Sequence, residues 1–340
     1  MTDRPRLTPQ MADVRRAVRE TLASLNLGPN ELVLAAVSGG GDSLALAAAL
    51  AFEAPRLNLR AGAVVVDHQL QSGSEEVAAR AVKTLTELGL EPVEMRKVEV
   101  QNSGLGLEGS AREARYQALE EARNQLAASW VLLGHNLEDQ AESVLLGLTR
   151  GSGLKSIAGM ERVDRERRLV RPLLGISRAE LRQACQDQGI EYWDDPHNSD
   201  QSFKRVRIRT LMETMESELG PGLPAALSRT AEIAAESEDF LTSAAREVIA
   251  RAKGKGSARS ISYEVSALAE SHPAVRNKAL FLIAQSVGAK DISRAQVLGV
   301  EELISNWHGQ KMVQLSGITV ERVGDQLVFK STKSLTPGAC

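Results

Sequence analysis

Cysteine is nearly absent from this chain of 340 residues, which contains Cys185 and Cys340 and no other. This scarcity excludes a disulfide framework, a Cys-x-x-Cys zinc knuckle and a thiol-relay active site. Apolar runs approaching the roughly 20 residues of a membrane span are also missing, and the first residues lack the apolar core of a secretory signal. The sequence therefore predicts a cytoplasmic protein with no membrane partner.

Aromatic residues make up 3% of the chain, whereas hydrophobic residues, mostly aliphatic, make up 43%. That balance favours helices packed on a sheet over an all-β sandwich. The formal net charge is -3, so any contact with a nucleic acid must come from local basic patches. The length favours one larger domain and one smaller domain.

Short apolar runs alternate with helical patterns in the first half of the chain. The predicted strands are 32–37, 61–66, 93–98 and 130–133, and the predicted helices between and after them are 44–52, 75–88, 110–126 and 137–148. This alternation predicts an α/β fold with a doubly wound, mostly parallel sheet.

Two prolines and two glycines lie between Gly220 and Pro224, where they interrupt regular structure. We therefore expect a catalytic domain over residues 1–220 and a smaller, mainly helical domain over residues 221–340. Helices are predicted there at 225–250, 266–287 and 293–307, followed by a hairpin at 312–329.

A glycine-rich segment joins the first predicted strand to the next helix. Its residues are Ser38, Gly39, Gly40, Gly41, Asp42 and Ser43. Glycines let backbone N–H groups surround an anion at the positive end of a helix, and the serines add hydroxyl donors. Asp42 would repel a bare phosphate, so it indicates a bridging Mg²⁺. The alternative is a plain strand-to-helix turn, and the Walker-type P-loop pattern is absent.

Further polar residues follow the second and fourth predicted strands: Asp67 and His68, then His135, Asp139 and Glu142. The carboxyl ends of parallel strands meet at one edge of a sheet, so these residues should face the glycine loop. The last three share one helix face, where the carboxylates would hold an ammonium group more readily than zinc. A strand-end turn and a solvated helix start are the simpler alternatives.

Basic residues are concentrated in three places. The run EGSAREARY contains Arg112 and Arg115, and arginine is the side chain that binds phosphate through two parallel hydrogen bonds. A second group comprises Lys204, Arg205, Arg207 and Arg209, and a third comprises Arg251, Lys253, Lys255 and Arg259. Both of these groups suit the phosphates of a nucleic acid, although solvated surfaces would carry the same charges.

The ordered motifs resemble those of the tRNA isoleucine lysidine synthetases, which are N-type ATP pyrophosphatases. The resemblance covers residues 32–209 and comprises SGGGDS, VDH, EGSAREARY, GHNLEDQAES, RGSG, RPLL and WDDPHNSDQSFKRVRIR. It implies an adenine nucleotide alpha hydrolase-like fold and a reaction that uses ATP and Mg²⁺. In that reaction ATP activates the C2 oxygen of the wobble cytidine of an isoleucine tRNA with a CAU anticodon, and the ε-amine of free L-lysine then displaces AMP.

The resemblance also implies roles for single residues. Asp42 and Ser43 match the ATP and Mg²⁺ loop, Arg112 matches an arginine near the reacting groups, and Asp139 and Glu142 match the positions that handle lysine. Residues 38–43 together with Asp67, His68 and His135 are the expected ATP site. Four positions depart from the family pattern: Gln71, Asn136, Glu138 and Val206.

Two other classes of function remain open. One is a related pyrophosphatase, such as a tRNA thiolase or an amidotransferase-linked synthetase, although the chain lacks Cys-x-x-Cys pairs and a glutaminase domain. The other is a non-catalytic module that binds a nucleotide or tRNA. A homodimer is compatible with the sequence, which does not determine the oligomeric state.

Overall fold

A computed structural model describes residues 7–67, 74–98, 106–151, 153–194, 200–201, 204–257 and 259–331, with the side chains of 106–108 left out. His68 and Gln71 lie outside these ranges. Contacts within the chain divide it into two units, Met1–Thr149 with Ile157–Ala231 and Arg150–Ser156 with Glu232–Cys340. This division falls after Ala231, within a long helix, whereas the sequence places a boundary after Gly220.

The first part of the chain alternates strands and helices. In chain order the elements are α1 (Pro9–Ser24), β1 (Leu32–Val37), α2 (Gly41–Glu53), β2 (Arg60–Asp67), α3 (Ser74–Glu87), β3 (Val93–Lys97), α4 (Gly106–Gln125), β4 (Trp130–Leu133), α5 (Leu137–Arg150), α6 (Leu154–Ile157), β5 (Val163–Asp164), β6 (Leu169–Val170), α7 (Arg178–Gln186) and α8 (Lys204–Leu219). The predicted strands are present with small differences at their ends. Strands β5 and β6 were not predicted, because two residues are too few to show a period.

The six strands form one sheet in the order β3-β2-β1-β4-β6-β5, parallel except for the β5–β6 pair. Alternate residues of β1 enter different cores: Val33 and Ala35 pack with α1, α2 and α7, whereas Leu32 and Leu34 pack with α4. Burying one such Val or Leu side chain stabilises the fold by about 1.5–3 kcal/mol. Helices cover both faces, which confirms the predicted doubly wound fold.

The order of strands reverses between β1 and β4, because the chain passes from β1 to β2 on one side and later places β4 on the other. Ala36 pairs with Leu133 in this register, so the two strands end side by side. In open α/β sheets ligands bind in the crevice at such a reversal. The loops after β1 and β4 are thereby placed next to each other at the carboxyl edge.

Helix α7 begins with a capping box. The Ser177 hydroxyl accepts a hydrogen bond from the backbone N–H of Glu180, and the Glu180 carboxylate accepts one from the backbone N–H of Ser177. This capping box satisfies two donors at the helix start. Helix α2 begins at Gly41, three residues before the predicted start, so the glycine segment itself enters the helix.

The smaller unit contains a sheet that the sequence analysis missed. After α9 (Leu223–Ala252) come β7 (Lys253–Gly256), β8 (Ser260–Glu264), α10 (Val265–Ala269), α11 (Pro273–Ser286), α12 (Arg294–Ser305), β9 (Val313–Leu315), β10 (Ile318–Val323) and β11 (Gln326–Ser331). The antiparallel sheet has the order β7-β8-β11-β10-β9, and its core includes Tyr263 edge-on to Phe329 at 5.8 Å between ring centroids. Helical residues still outnumber strand residues, but the expected terminal hairpin is part of this larger sheet.

Two further expectations for this unit were wrong. The single helix predicted at 266–287 is divided into α10 and α11, because Pro273 has no backbone N–H and begins a new helix. No strand was predicted in the segment with the third basic group, yet this segment contains β7. Among the described residues, no helix is long and apolar enough to cross a membrane.

Candidate active site

The glycine loop is a tight turn closed by its own serines. Gly39 has φ +84°, a value that a side chain disfavours, and a Cβ there would lie 3.0 Å from Val77 Cγ1. The Ser43 hydroxyl accepts from the Ser38 backbone N–H at 3.2 Å and donates to the Gly40 carbonyl at 2.9 Å. Gly40 caps α2, whose first N–H groups have no partner within the helix. The loop therefore presents backbone N–H donors at the start of α2, where an anion would bind, and the ATP site stays a prediction.

Gly134 brings the loop after β4 against the start of α2. A Cβ at this position would lie 3.0 Å from Ser43 Cα and 3.1 Å from the Ser43 backbone nitrogen, closer than packed atoms normally approach. Any side chain here would push α2 away from β4. The glycine residue itself was the available signal for this role, but glycines also end strands at bulges and tight bends.

Asn136 connects two of the predicted catalytic carboxylates. Its side chain is fully buried and donates from Nδ2 to Asp42 Oδ2 at 2.8 Å. Its backbone N–H donates to Asp139 Oδ2 at 3.1 Å, and its Oδ1 accepts from the Asp139 backbone N–H at 2.9 Å. The start of α5 is thereby tied to the start of α2.

Arg178 lies between the same two carboxylates. Its Nε is 3.7 Å from Asp42 Oδ2, and its Nη2 is 3.5 Å from Asp139 Oδ1. Burial raises the pKa of Asp42 to about 6, with Asp139 adding to the rise and Arg178 opposing it. Carboxylates that are this poorly solvated favour a cation beside them.

Glu142 is a buried carboxylate with one satisfied oxygen. Arg209 donates to Glu142 Oε1 from Nε at 2.9 Å and lies 2.8 Å away through Nη2. Glu142 Oε2 is buried without a hydrogen-bond partner among the described residues. Burial raises the pKa of Glu142, the charge of Asp139 adds to the rise, and Arg209 opposes it. The side chain can therefore accept both a proton and an ammonium group.

Arginines of α4 form a basic wall of the site, with Arg115 in the lining of the cleft and Arg112 outside that lining. Arg112 donates from Nη2 to the Tyr116 hydroxyl at 3.0 Å, and the guanidinium carbons of Arg112 and Arg115 lie 5.2 and 5.6 Å from the Tyr116 ring centroid. Burial lowers the pKa of His135 well below its ordinary value, and the charge of Arg115 adds to this effect. His135 therefore contributes a neutral ring to a positively charged wall.

The two walls enclose a cleft of about 350 Å³ at the carboxyl edge of the sheet. The predicted site residues that line it are Ser38, Gly40, Gly41, Asp42, Ser43, His135, Asp139, Arg205 and Arg209. Arg178, Arg182, Trp193 and Asp194 also line it and were not predicted. The Trp193 backbone N–H donates to the Gly39 carbonyl at 3.0 Å, so the chain after α7 covers the glycine loop. Asp67 ends β2 with a buried side chain, and it is not part of the cleft lining.

Two families match the chain in consecutive regions. Residues 11–215 match the PP-loop domain, and residues 264–328 match the TilS substrate binding domain. A tRNA(Ile)-lysidine synthase from Leifsonia xyli subsp. xyli is 47% identical over 304 residues, which cover 89% of this chain and 91% of that protein. The chain belongs to the tRNA(Ile)-lysidine synthase family.

Other members of this family match at similar levels. The tRNA(Ile)-lysidine synthase of Streptomyces coelicolor is 44% identical over 88% of this chain and 85% of its own length. That of Thermobifida fusca is 43% identical over 95% of this chain and 98% of its own length. Among solved structures, a U34-tRNA thiolase from Methanococcus maripaludis has a TM-score of 0.55 at 22% identity, over 66% of this chain and 78% of that one. This last similarity shows a shared fold.

Three of the four residues that depart from the family pattern lie in the part of the chain that the structure describes. Asn136, in place of a histidine, makes the hydrogen bonds to Asp42 and Asp139 described above. Glu138, in place of an aspartate, accepts from the Arg178 backbone N–H at 3.0 Å and so joins α5 to α7. Val206, in place of an asparagine, is buried on α8. Of the predicted catalytic residues, Asp42 and Asp139 line the cleft, whereas Arg112 and Glu142 are not part of its lining.

Helix α8 divides the second basic group into two pairs. Arg205 and Arg209 line the cleft, whereas Lys204 and Arg207 are exposed, because residues four apart share a helix face. The Arg207 guanidinium donates to the Gln201 carbonyl at 2.9 Å. The sequence analysis treated all four as one RNA-binding surface, and it did not anticipate the ion pair of Arg209 with Glu142.

Proposed function

We propose that this chain ligates free L-lysine to C2 of the wobble cytidine of an isoleucine tRNA with a CAU anticodon, using ATP and releasing AMP and pyrophosphate. The observation that carries this proposal is one cleft lined by the glycine loop and by Asp139, with the buried carboxylate of Glu142 about one helical turn further along α5. The family to which the chain belongs has a PP-loop domain, which supports the use of ATP.

ATP would place its phosphates on the glycine loop at the start of α2. The N–H groups there and the hydroxyl of Ser38 stabilise negative charge that increases as pyrophosphate leaves. The cytidine C2 oxygen forms a bond to the α-phosphorus while the bond from that phosphorus to the bridging oxygen of pyrophosphate breaks. The product is an adenylylated tRNA, in which the adenylyl group activates C2 for nucleophilic attack.

The residues present fit one Mg²⁺ at Asp42. Asn136 holds Oδ2, while Asp42 Oδ1 accepts no hydrogen bond from the described residues and belongs to a side chain that lines the cleft. Mg²⁺ is commonly bound by one or two carboxylates together with substrate phosphates, so a single aspartate is sufficient. No group of three His, Cys, Asp or Glu side chains within the described ranges is arranged as a metal site. The ion would neutralise phosphate charge when ATP binds.

Lysine would bind beside Asp139 and Glu142 through its ε-ammonium group. Its pKa is about 10.4, so the group arrives protonated and must lose a proton before it can attack. Glu142 Oε2 is the buried acceptor available to it, and the raised pKa of Glu142 makes this carboxylate a better base. The amine nitrogen then bonds to C2, the bond from C2 to the adenylyl oxygen breaks, and AMP leaves with that oxygen. Asp139 stabilises the ammonium before the transfer.

The tRNA would approach over α8. Lys204 and Arg207 are exposed and suit backbone phosphates, whereas Arg205 lines the cleft and suits the reacting nucleotide. The third basic group, on and beside β7, would bind a more distant part of the tRNA. A tRNA substrate places the enzyme in the cytoplasm, and the protein would act there as a monomer or a homodimer.

The test is pyrophosphate release by the purified protein with ATP, Mg²⁺, tRNA transcript and lysine. Release should need the tRNA, turnover to AMP should need lysine, and a tRNA with a different anticodon should not support the reaction. A thiolase would be indifferent to lysine, and a binding module would release no pyrophosphate. Either result would refute the proposal.

A further inference from the structure

Three arginines that lie around Tyr116, one of which lines the cleft, lack a negative partner among the described residues. We call Arg112, Arg115 and Arg171 the arginine cluster. Arg112 and Arg171 reach the hydroxyl of Tyr116, and Arg115 lies over its ring. None of the three makes an ion pair with any residue that the structure describes. By contrast, Arg178, Arg182 and Arg209 in the same cleft each have a carboxylate within 4 Å.

The arginine cluster is also poorly solvated. Arg171 is 5% exposed, and burial lowers the pKa of Arg112, with the charges of Arg205 and Arg115 lowering it further. The Nε atoms of Arg115 and Arg171 are buried with no hydrogen-bond partner among the described residues. Bringing like charges together away from water costs free energy unless an anion offsets them. The arginine cluster therefore destabilises the ligand-free protein, and a bound anion would offset this free-energy cost.

Among the described residues, the side chains that contact the arginine cluster do not supply a negative charge. The Tyr116 hydroxyl accepts a hydrogen bond from Arg112 at 3.0 Å, and this bond orients the guanidinium. Because the hydroxyl is neutral, it does not balance the positive charge of the guanidinium. The Nδ1 atom of His135 is buried and has no hydrogen-bond partner within the described part of the chain. Arg115 and His135 line the cleft, so the positive wall is open to a ligand at that point.

We propose that the arginine cluster is a binding site for one phosphate group of a nucleotide, separate from the glycine loop. Arg115 contacts the phosphate from the cleft wall, and Tyr116 with Arg171 positions Arg112 behind it. The chemistry is that of a phosphate oxyanion on planar guanidinium donors. Two ligands offer such a phosphate group: the bound tRNA through one of its phosphodiesters, and the adenine nucleotide through its α-phosphate. This inference rests on the proposed function, because both ligands take part in that reaction.

The experiment compares Arg115→Gln with Arg123→Gln in the full-length protein. Arg123 is on the same helix, two turns further along, hydrogen-bonded to Asn124, and does not line the cleft. Binding of an isoleucine tRNA transcript is measured across a series of salt concentrations, and binding of AMP and adenosine is measured by calorimetry. None of these measurements requires turnover, so loss of lysidine formation would leave this test intact.

With a tRNA phosphodiester in the site, Arg115→Gln raises the tRNA dissociation constant roughly 10-fold or more and reduces the log-log salt slope by about one. With the α-phosphate in the site, Arg115→Gln removes the affinity advantage of AMP over adenosine and leaves the salt slope unchanged. Equal effects in Arg115→Gln and Arg123→Gln would overturn the proposal, as would wild-type affinity for both ligands.

Thermal melting separates binding from folding. Removing an uncompensated arginine should leave the melting temperature of Arg115→Gln equal to or above that of the wild type, since like-charge repulsion falls. AMP or tRNA, whichever the site binds, should then raise the melting temperature of the wild type more than that of the variant. A variant that melts well below the wild type without ligand would assign Arg115 a structural role and overturn the proposal.

Tyr116→Phe tests the positioning role. The ring remains, but the acceptor that holds Arg112 is removed. Affinity should fall for the same ligand that Arg115→Gln affects, by a smaller factor, and adenosine binding should not change. A loss of adenosine affinity equal to the loss of AMP affinity would show general disruption of the cleft and overturn the role.

Discussion

The two walls of the cleft differ in how their charges are balanced. On the acidic wall each carboxylate has an arginine nearby, Arg178 for Asp42 and Asp139 and Arg209 for Glu142. On the basic wall Arg112, Arg115 and Arg171 have no such counter-ion among the described residues. One wall is nearly neutral in the free protein, whereas the other carries excess positive charge.

This difference indicates what each wall is suited to bind. Carboxylates with loosely held counter-ions can exchange an arginine for a substrate cation at small cost, and the 3.5 and 3.7 Å distances to Arg178 exceed those of hydrogen bonds. Arginines without a counter-ion gain most from an incoming anion. The proposed reaction makes use of both, because it involves the ammonium group of lysine and the phosphate groups of ATP and tRNA.

The largest expected effect tests the acidic wall at its contact with the glycine loop. Asp42→Asn keeps the shape of the side chain and removes the charge proposed to share Mg²⁺ with the phosphates. Losing about 3 kcal/mol of charge stabilisation should slow pyrophosphate release roughly 100-fold, with an unchanged circular dichroism spectrum. Asp239→Asn, on an exposed part of α9, is the matched control. Wild-type pyrophosphate release by folded Asp42→Asn would remove Asp42 from the mechanism.

A second substitution distinguishes the two functions proposed for the acidic wall, which are adenylylation and the binding of lysine. Glu142→Gln should raise the KM for lysine or lower its rate of use roughly 10-fold or more, because a neutral amide neither attracts an ammonium group nor accepts its proton. Adenylylation, measured as tRNA-dependent exchange of pyrophosphate into ATP, should change much less. Glu138→Gln is the control on the same helix, because an amide oxygen can still accept from the Arg178 backbone N–H. Equal losses in both steps would contradict a specific role in handling lysine.

A third prediction separates the basic wall from the exposed cations of α8. Replacing Lys204 and Arg207 by glutamine should weaken tRNA binding and reduce its log-log salt slope by about one per lost phosphate contact. ATP affinity should be retained, because neither residue lines the cleft. Adding Arg205→Gln should lower tRNA affinity further, since Arg205 does line it. Unchanged affinity and slope in the triple variant would mean that α8 is a solvated surface and that the tRNA approaches elsewhere.

The smallest expected effect concerns stability. Because burial raises the pKa of Glu142, its ionised form is disfavoured in the folded protein, and stability falls as the pH rises through that pKa. Below about pH 4 the carboxyl is largely protonated in both states and the cost disappears. Glu142→Gln should therefore melt at or slightly above the wild-type temperature near pH 8, and the gap should close towards pH 4. A variant that melts well below the wild type near pH 8 would mean that the ion pair with Arg209 outweighs burial.

The strands and helices of the larger unit were predictable because their patterns are local. Strands β1 and β4 begin and end at the residues that the apolar runs predict, and Ser177 with Glu180 marks the start of α7. The smaller unit was predicted less well. Its strands are short and polar on one face, so β7 and β8 resemble connecting loops in the sequence, and their pairing with β11 is a long-range contact.

The candidate site shows the same limit. The sequence alone identified the glycine loop, the carboxylates of α5 and the arginines of α4 and α8, because chemistry of this kind requires particular residue types at strand ends and on helix faces. The tertiary structure decided their partners: Asn136 with Asp42, Arg209 with Glu142, and an arginine cluster with no carboxylate partner in the described ranges. The physical reason is that hydrogen bonds, ion pairs and burial depend on distances between residues far apart in the chain. Residue type and spacing along one element do not contain those distances.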